Sequence, residues 1–329
     1  MNRAGNNATG RTLRRQRGVA LITVLLVVAL ATVAAVHMTT RDQLDQRRTG
    51  NRLALQQAHE LALGGERWAV AVLAEDLREG DDPLIDSRDQ DWARVLPPIP
   101  VEGGQVAGRM DDLQGRFNIN TLVRGETINA VALERFERLL QVLELDPQIG
   151  QAVVDWLDTD SDTTFPAGAE DDYYAALDTP HLAANRPLAV ASELRMVRGF
   201  DDGAWRRLAP HVTALPAFDT AININTATPA VLQAVVPGLD AAAATGLHEA
   251  LAEEPFLAVE DIANHPLIQA SAAADGDDEF RIEGLAVRSR FFRTRVDVQL
   301  ADVTYTLYSW LERDDNGASR VLRRTRSAN

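Results

Sequence analysis

The chain has 329 residues, 46% of them hydrophobic and 25% charged, enough apolar material for a folded core beside an anchor. Its formal net charge of −15 disfavours sequence-independent binding to a phosphate backbone and favours divalent cations. It contains no cysteine, which excludes disulfides, zinc–thiolate sites and cysteine nucleophiles together.

Residues 1–18 form a polar, basic leader in which Arg11, Arg14, Arg15 and Arg17 crowd towards Gly18. Residues 19–36 (VALITVLLVVALATVAAV) are apolar, and no charge intervenes between Arg17 and Arg41. Such a segment is long enough to span a bilayer as a helix, and the arginines before it predict a cytoplasmic N-terminal side. Three readings compete. A secretory signal would use the weak small-residue site in AAVHMTT (34–40), and a signal anchor would stay uncut. The third is a leader removed on the cytoplasmic side, between Gly18 and Val19, which leaves the apolar segment as the new N-terminus.

The helical pattern continues beyond the apolar half (19–41) without proline to residue 78, with Leu61, Trp68, Val72 and Leu73 predicting one apolar face. Gly50 and the Gly64–Gly65 pair are weak points in that helix. Residues 79–100 are acidic and proline-rich and predict a surface loop with a short element around Trp92. A strand is expected over 101–112, and alternation of Phe117, Ile119 and Thr121 with Asn118 and Asn120 extends this first sheet region to 122. Residues 123–285 then read as an inserted α-helical domain. Its helix signals include Asp146-Pro147, Thr228-Pro229 and a closing Gly199 after Ser192–Val197. Residues 286–313 predict a β-hairpin turning at Ala301-Asp302, and the basic tail 314–329 is expected to be disordered.

The densest chemistry lies in DWLDTDSDTTFPAGAEDD (155–172). Asp158, Asp160 and Asp162 alternate as in a calcium loop, although the glycine and glutamate of an EF-hand are misplaced. So many carboxylates in so short a stretch repel one another unless a cation neutralises them. The expected ligands are Asp158, Asp160, Asp162, Glu170 and Asp171, with Asp155 behind them; the bland alternative is a solvated acidic loop. A hydrolytic carboxylate dyad fits such a crowded loop poorly. The six histidines are dispersed, and no nucleophile motif or Walker motif is present. Residues 222–262 look like a helix-hairpin-helix unit, but Asp240 replaces the second hairpin glycine and the next helix carries Glu249, Glu253 and Glu254. No nucleic-acid partner is therefore expected.

The junction RRQRG|VALITVLLVVAL resembles a prepilin peptidase site of the type IV pilin superfamily. Within that superfamily the chain resembles the K-type minor pseudopilins of bacterial type II secretion. The resemblance rests on RGVALITVLLV (17–27), GGERWA (64–69), GRFNIN (115–120), DWLDTD (155–160), GAEDDYY (168–174), AANRPL (183–188), SELRMVRG (192–199), LAPHVTALP (208–216) and ININTA (222–227), in that order. Pilins usually carry glutamate at mature position five, where this chain has Thr23. A subunit at the fibre tip has no amine above it to neutralise a buried carboxylate and can drop the charge.

The resemblance implies an α+β fold: a pilin-like long N-terminal helix packed on a small antiparallel sheet, with a large inserted all-helical domain that binds calcium. It also implies a structural, non-enzymatic role at the pseudopilus tip, priming assembly and export of folded proteins. The implied partners are the I-type and J-type minor pseudopilins, the prepilin peptidase and the inner membrane, with the globular part in the periplasm. The alternatives are a type IV pilus or DNA-uptake minor pilin with a helix-hairpin-helix module, and a membrane-anchored hydrolase using the acidic loop. Sequencing the membrane-extracted protein from its N-terminus separates a pilin from a signal anchor or a secreted protein. Val19 is expected as the first residue; Met1, or a start beyond residue 36, would contradict the pilin reading.

Overall fold

The computed structural model describes residues 17–79, 85–275 and 280–327. The leader up to residue 16 and part of the expected 79–100 loop lie outside them. The chain divides into two compact units at Gln57/Ala58, and helix α1 (Arg17–Glu79) runs through that division. In the first unit the apolar side chains from Val19 to Val36 are exposed, and the helix meets the length and composition requirement for one membrane span. Its threonines satisfy themselves. Thr23 Oγ1 donates to the Ala20 carbonyl (2.9 Å), and Thr32 Oγ1 to that of Val28 (2.8 Å).

In the second unit, α1 packs on a five-stranded antiparallel sheet. Its members are β1 (Leu96–Val101), β2 (Gly104–Asp112), β9 (Phe291–Leu300), β10 (Val303–Arg313) and β11 (Ser319–Thr325), ordered β1-β2-β9-β10-β11. Strand β1 contains Pro97, Pro98 and Pro100 and is accordingly an edge, since proline cannot donate to a ladder. The segment before it makes a short 3-10 turn with Trp92 buried against Phe292 (ring centroids 5.1 Å apart).

The seam between α1 and the sheet is built from small residues. Ala58, Ala62 and Ala69, with Leu73, are buried against Phe292, Val296, Val298, Leu307 and Leu311. Gly65 sits so close that an added Cβ would lie 2.8 Å from Val296 Cγ1. The expectation that Trp68 shares this buried face is corrected: it is 46% exposed, because the seam selects for close backbone approach rather than for apolar bulk. Glu66 is a charged residue buried within the seam. It accepts from Ser309 Oγ (2.5 Å) and from Arg324 Nε and Nη2 (both 2.7 Å). Arg324 belongs to β11, so the expected disordered tail is corrected as well. Arg323 stacks on Trp310 (3.8 Å) and Arg326 on Tyr305 (4.7 Å), and these contacts tie residues 319–326 to the sheet.

Everything from 113 to 290 is an excursion between the neighbouring strands β2 and β9. It begins before the expected boundary at 123, because Phe117–Asn118 (β3) pairs with Val212–Thr213 (β6) inside the insert rather than with the main sheet. The remaining elements are β4 (Val123–Arg124), β5 (Thr127–Ile128), α2 (Ala130–Val142), α3 (Ile149–Leu157), α4 (Asp171–Ala175), α5 (Asp202–Leu208), β7 (Ile222–Asn223), α6 (Pro229–Val235), α7 (Ala241–Ala250), α8 (Val259–Asn264), α9 (Pro266–Asp275) and β8 (Leu285–Ala286). The helical insert is thus seamed by short strand pairs. Thr228 caps α6 as its sequence predicts, accepting from Val231 N, whereas Asp146 and Pro147 lie in a turn before α3.

The insert is a tandem repeat. Each copy opens on a short strand that enters an Asn-Ile-Asn-Thr turn, at 118–121 and 223–226. In both, the first asparagine accepts from the backbone N–H two residues on. The second grips a distant loop through both ends of its amide. Asn120 pairs with the N–H and carbonyl of Leu188, and Asn225 with those of Phe256. Each copy then presents two helices, a short helical turn whose start is capped by Glu193 or Asp261, one further helix (α5 or α9), and a last strand parallel to the first. The two copies share one core that includes Phe136, Leu140, Trp156, Leu232 and Leu247.

Where the insert rejoins the sheet, Arg313 is buried. Its Nη2 donates to both Asp86 oxygens (2.6 Å each) and to the Ser289 carbonyl (3.0 Å), and Nη1 reaches Asp76 (3.4 Å). Arg313→Ala is expected to cost about 3–5 kcal/mol in urea unfolding, because two buried carboxylates lose their cation. A loss below about 1 kcal/mol would contradict this account.

Candidate metal centre

The acidic loop belongs to the first copy of the repeat. Helix α3 ends at Leu157, so Asp158 caps it, and Glu170 stands at the start of α4 on the far side of the loop. The loop between them is held by backbone donors. Both Asp155 oxygens accept from Thr164 N (3.1 Å), Gln151 Oε1 accepts from Ala167 N (2.9 Å), and Gly168 N donates to the Thr164 carbonyl (2.7 Å). Gly168 is required there, since a Cβ would stand 2.1 Å from Asp155 Oδ2.

The fold brings Asp158, Asp160 and Glu170 together, with one carboxylate oxygen of each within 4.8 Å of the others. Asp158 and Glu170 are buried, and Asp158 Oδ1 and both Glu170 oxygens have no hydrogen-bond donor. Unpaired buried carboxylate oxygens are costly, so they require protons or a cation. Burial, followed by the neighbouring charges of Asp160 and Asp155, pushes the Asp158 carboxyl up to about 7. Burial also pushes Glu170 up to about 7, with Asp155 and Asp158 the next contributors. Oxygen-only carboxylate ligation suits a hard cation such as calcium rather than a soft one.

Two expected ligands stand elsewhere. Asp162 is exposed, and its backbone N–H closes a turn on Asp160 Oδ1 (2.8 Å), which breaks the alternation that pointed it inwards. Asp171 Oδ1 accepts from Ala183 N (2.9 Å) and fixes the following segment. Asp155 lies behind the cluster and orders the loop. Sequence reasoning missed Asn185. Its Nδ2 donates to the Asp160 carbonyl (3.0 Å), its Oδ1 is buried without a donor, and its φ of 45° is one that asparagine tolerates. Nothing in its spacing from the aspartates signalled this. In the segment resembling a helix-hairpin-helix, Asp240 caps α7 by accepting from Ala243 N (2.8 Å).

An apolar N-terminal helix whose later half packs on an antiparallel sheet defines a pilin-like subunit, here enlarged by an insert. Comparison with known sequences identifies the branch. Two family descriptions, both of type II secretion system protein K, match residues 115–217 and 222–281, one for each copy of the repeat. The chain is 37% identical to the type II secretion system protein K of Pseudomonas aeruginosa, over 94% of this chain and 93% of that protein. It is 33% identical to that of Klebsiella pneumoniae over 94% and 96%. A crystal structure of the GspK-GspI-GspJ complex from the enterotoxigenic Escherichia coli type II secretion system aligns with a TM-score of 0.71 at 26% identity, covering 86% of this chain and all of the matched one. The chain belongs to the protein K family, the minor pseudopilins of type II secretion.

The raised carboxyls carry a sign. In the metal-free protein their contribution to stability is fully present below pH 4, where the unfolded groups are also protonated, and is lost as pH rises through about 7. Thermal melts in chelator should show a smaller fall between pH 5 and pH 8 for an Asp158→Asn, Glu170→Gln double variant than for the wild type. An equal or larger fall in the variant would contradict the assignment.

Proposed function

We propose that the chain is the tip subunit of the pseudopilus, anchored in the inner membrane by residues 19–41 with its globular unit in the periplasm. It matures by prepilin peptidase cleavage after Gly18. Thr23 supports the tip position, because its hydroxyl is satisfied within its own helix and asks for no partner amine. The bulk of residues 113–290 supports it too, since such an insert fits poorly between stacked subunits. By similarity to the solved GspK-GspI-GspJ complex, its partners are the I-type and J-type minor pseudopilins. The role is structural rather than enzymatic: it primes assembly of the fibre that exports folded proteins.

The insert holds calcium through Asp158, Asp160 and Glu170. The observation that supports this is the set of buried carboxylate oxygens without donors. A bound cation would join the end of α3 to the start of α4 and fix the loop between them. Calcium at a hundred-fold excess over its dissociation constant should stabilise the protein by about 2.7 kcal/mol. The purified protein is expected to melt higher in calcium than in chelator, and Glu170→Gln should lose most of that shift. A wild type indifferent to calcium would remove the metal. Failure to form a stoichiometric complex with folded I-type and J-type subunits would remove the tip assembly.

A further inference from the structure

The sheet face turned away from α1 carries one row of residues across four strands. Asp111 pairs in register with Arg293, Arg293 with Trp310, and Trp310 with Arg323. Directly opposed residues on antiparallel strands share a face. The flanking Phe292 and Leu311 point to the other side, into the α1 seam. The first copy of the repeat covers this row. Ser192, Trp205 of α5 and Thr213 of β6 line a narrow cleft with Arg293, Trp310 and Arg323, and Arg116 reaches into it from the loop after β2. The cleft measures ≈40 Å³, room for about three waters or one small polyatomic ion.

Its charge is unbalanced. The chain has 48 acidic residues against 33 Lys and Arg, so carboxylate partners are plentiful elsewhere. Here Arg116, Arg293 and Arg323 line one cleft; Arg293 Nη2 engages Asp111 at 2.7 Å, and the charges of Asp111 and Asp112 also act on Arg116. Arg293 Nε is buried without an acceptor. Arg116 and Arg323 make no side-chain hydrogen bond or ion pair among the described residues, and Arg323 has only the Trp310 ring. Burial first, and then the charge of Arg293, lowers the proton affinity of both. Half-buried guanidinium groups that repel one another are costly unless an anion joins them, and their planar forks match oxyanions.

We propose that this cleft binds a compact oxyanion, a carboxylate or a phosphate, held by Arg116, Arg293 Nε and Arg323, with Ser192 and Thr213 in reach as neutral donors. The anion bridges strands β9 and β11 to the first copy of the repeat, and so clamps the insert onto the sheet. Trp310 and Trp205 wall the site and strengthen the charge–charge attraction by excluding water.

The test uses the full-length protein in detergent, in chelator, at constant ionic strength. Chloride is exchanged for sodium phosphate or sodium acetate while the melting temperature is followed. A saturable rise that chloride does not give is expected for the wild type and for Arg320→Gln, a control at an exposed arginine paired with Glu312. Arg323→Gln, on the sheet edge, should weaken the apparent affinity at least ten-fold. Phosphorus-31 line broadening of phosphate by the wild type, relieved in Arg323→Gln, supplies a readout independent of stability. Displacement of phosphate by a tetraglutamate peptide would identify a side-chain carboxylate as a competent source. Retention would assign the site to free anions; either result supports it. Equal melting in chloride, phosphate and acetate, or an undiminished response in both Arg323→Gln and Arg116→Gln, would overturn the proposal.

Discussion

The fold rests on how closely the second half of α1 approaches the sheet. Ala58, Ala62, Gly65 and Ala69 leave no room for bulk, so strands β9 and β10 lie directly against the helix backbone. Such a seam gains stability from dense packing rather than from large buried side chains. Glu66 is a charge buried in it, and its need for donors ties down the C-terminal strand. Arg324 on β11 and Ser309 on β10 supply the donors, so the basic C-terminal strand is part of the sheet rather than an appendage. Arg313 does the corresponding work where the insert enters and leaves, holding Asp76 and Asp86 together in the interior.

On this frame the insert is an internal duplication with unequal elaboration. Both copies use the same asparagine clamp and the same capped turn. Only the first has a long stretch between its second helix and that turn, and this is where the carboxylates collect. The carboxylate cluster therefore reads as an addition to one copy of a common scaffold. Its rigidity comes from backbone donors on Asp155 and from Gly168, residues that hold the loop without contributing oxygens to the cluster.

Much of the architecture was legible in the sequence because it depends on period and punctuation. The apolar run after Gly18, the proline-free helix, the Thr228-Pro229 start and the hairpin at Ala301-Asp302 are all of this kind. What failed depends on packing and direction. Trp68 fits a helical apolar face by hydrophobicity, but the seam demands small residues. Asp162 has the right chemistry and spacing, yet a side-chain turn on Asp160 rotates it outwards. The arginines of the tail looked like solvated charges because their partners, Glu66, Trp310 and Tyr305, are distant in sequence. The tandem repeat was visible as two Asn-Ile-Asn-Thr strings. Neither string announces a repeat by period: the first reads as strand alternation and the second as the opening of a helix-hairpin-helix-like segment.

The central claim is that this chain is the subunit on which a secretion fibre is begun. The most direct measurement is export of a folded substrate from cells in which this chain is the sole K-type subunit, compared with cells lacking it. Secretion should depend on the chain, and should fail when Gly65→Leu forces α1 off the sheet. Undiminished secretion in cells without any K-type subunit would contradict the account.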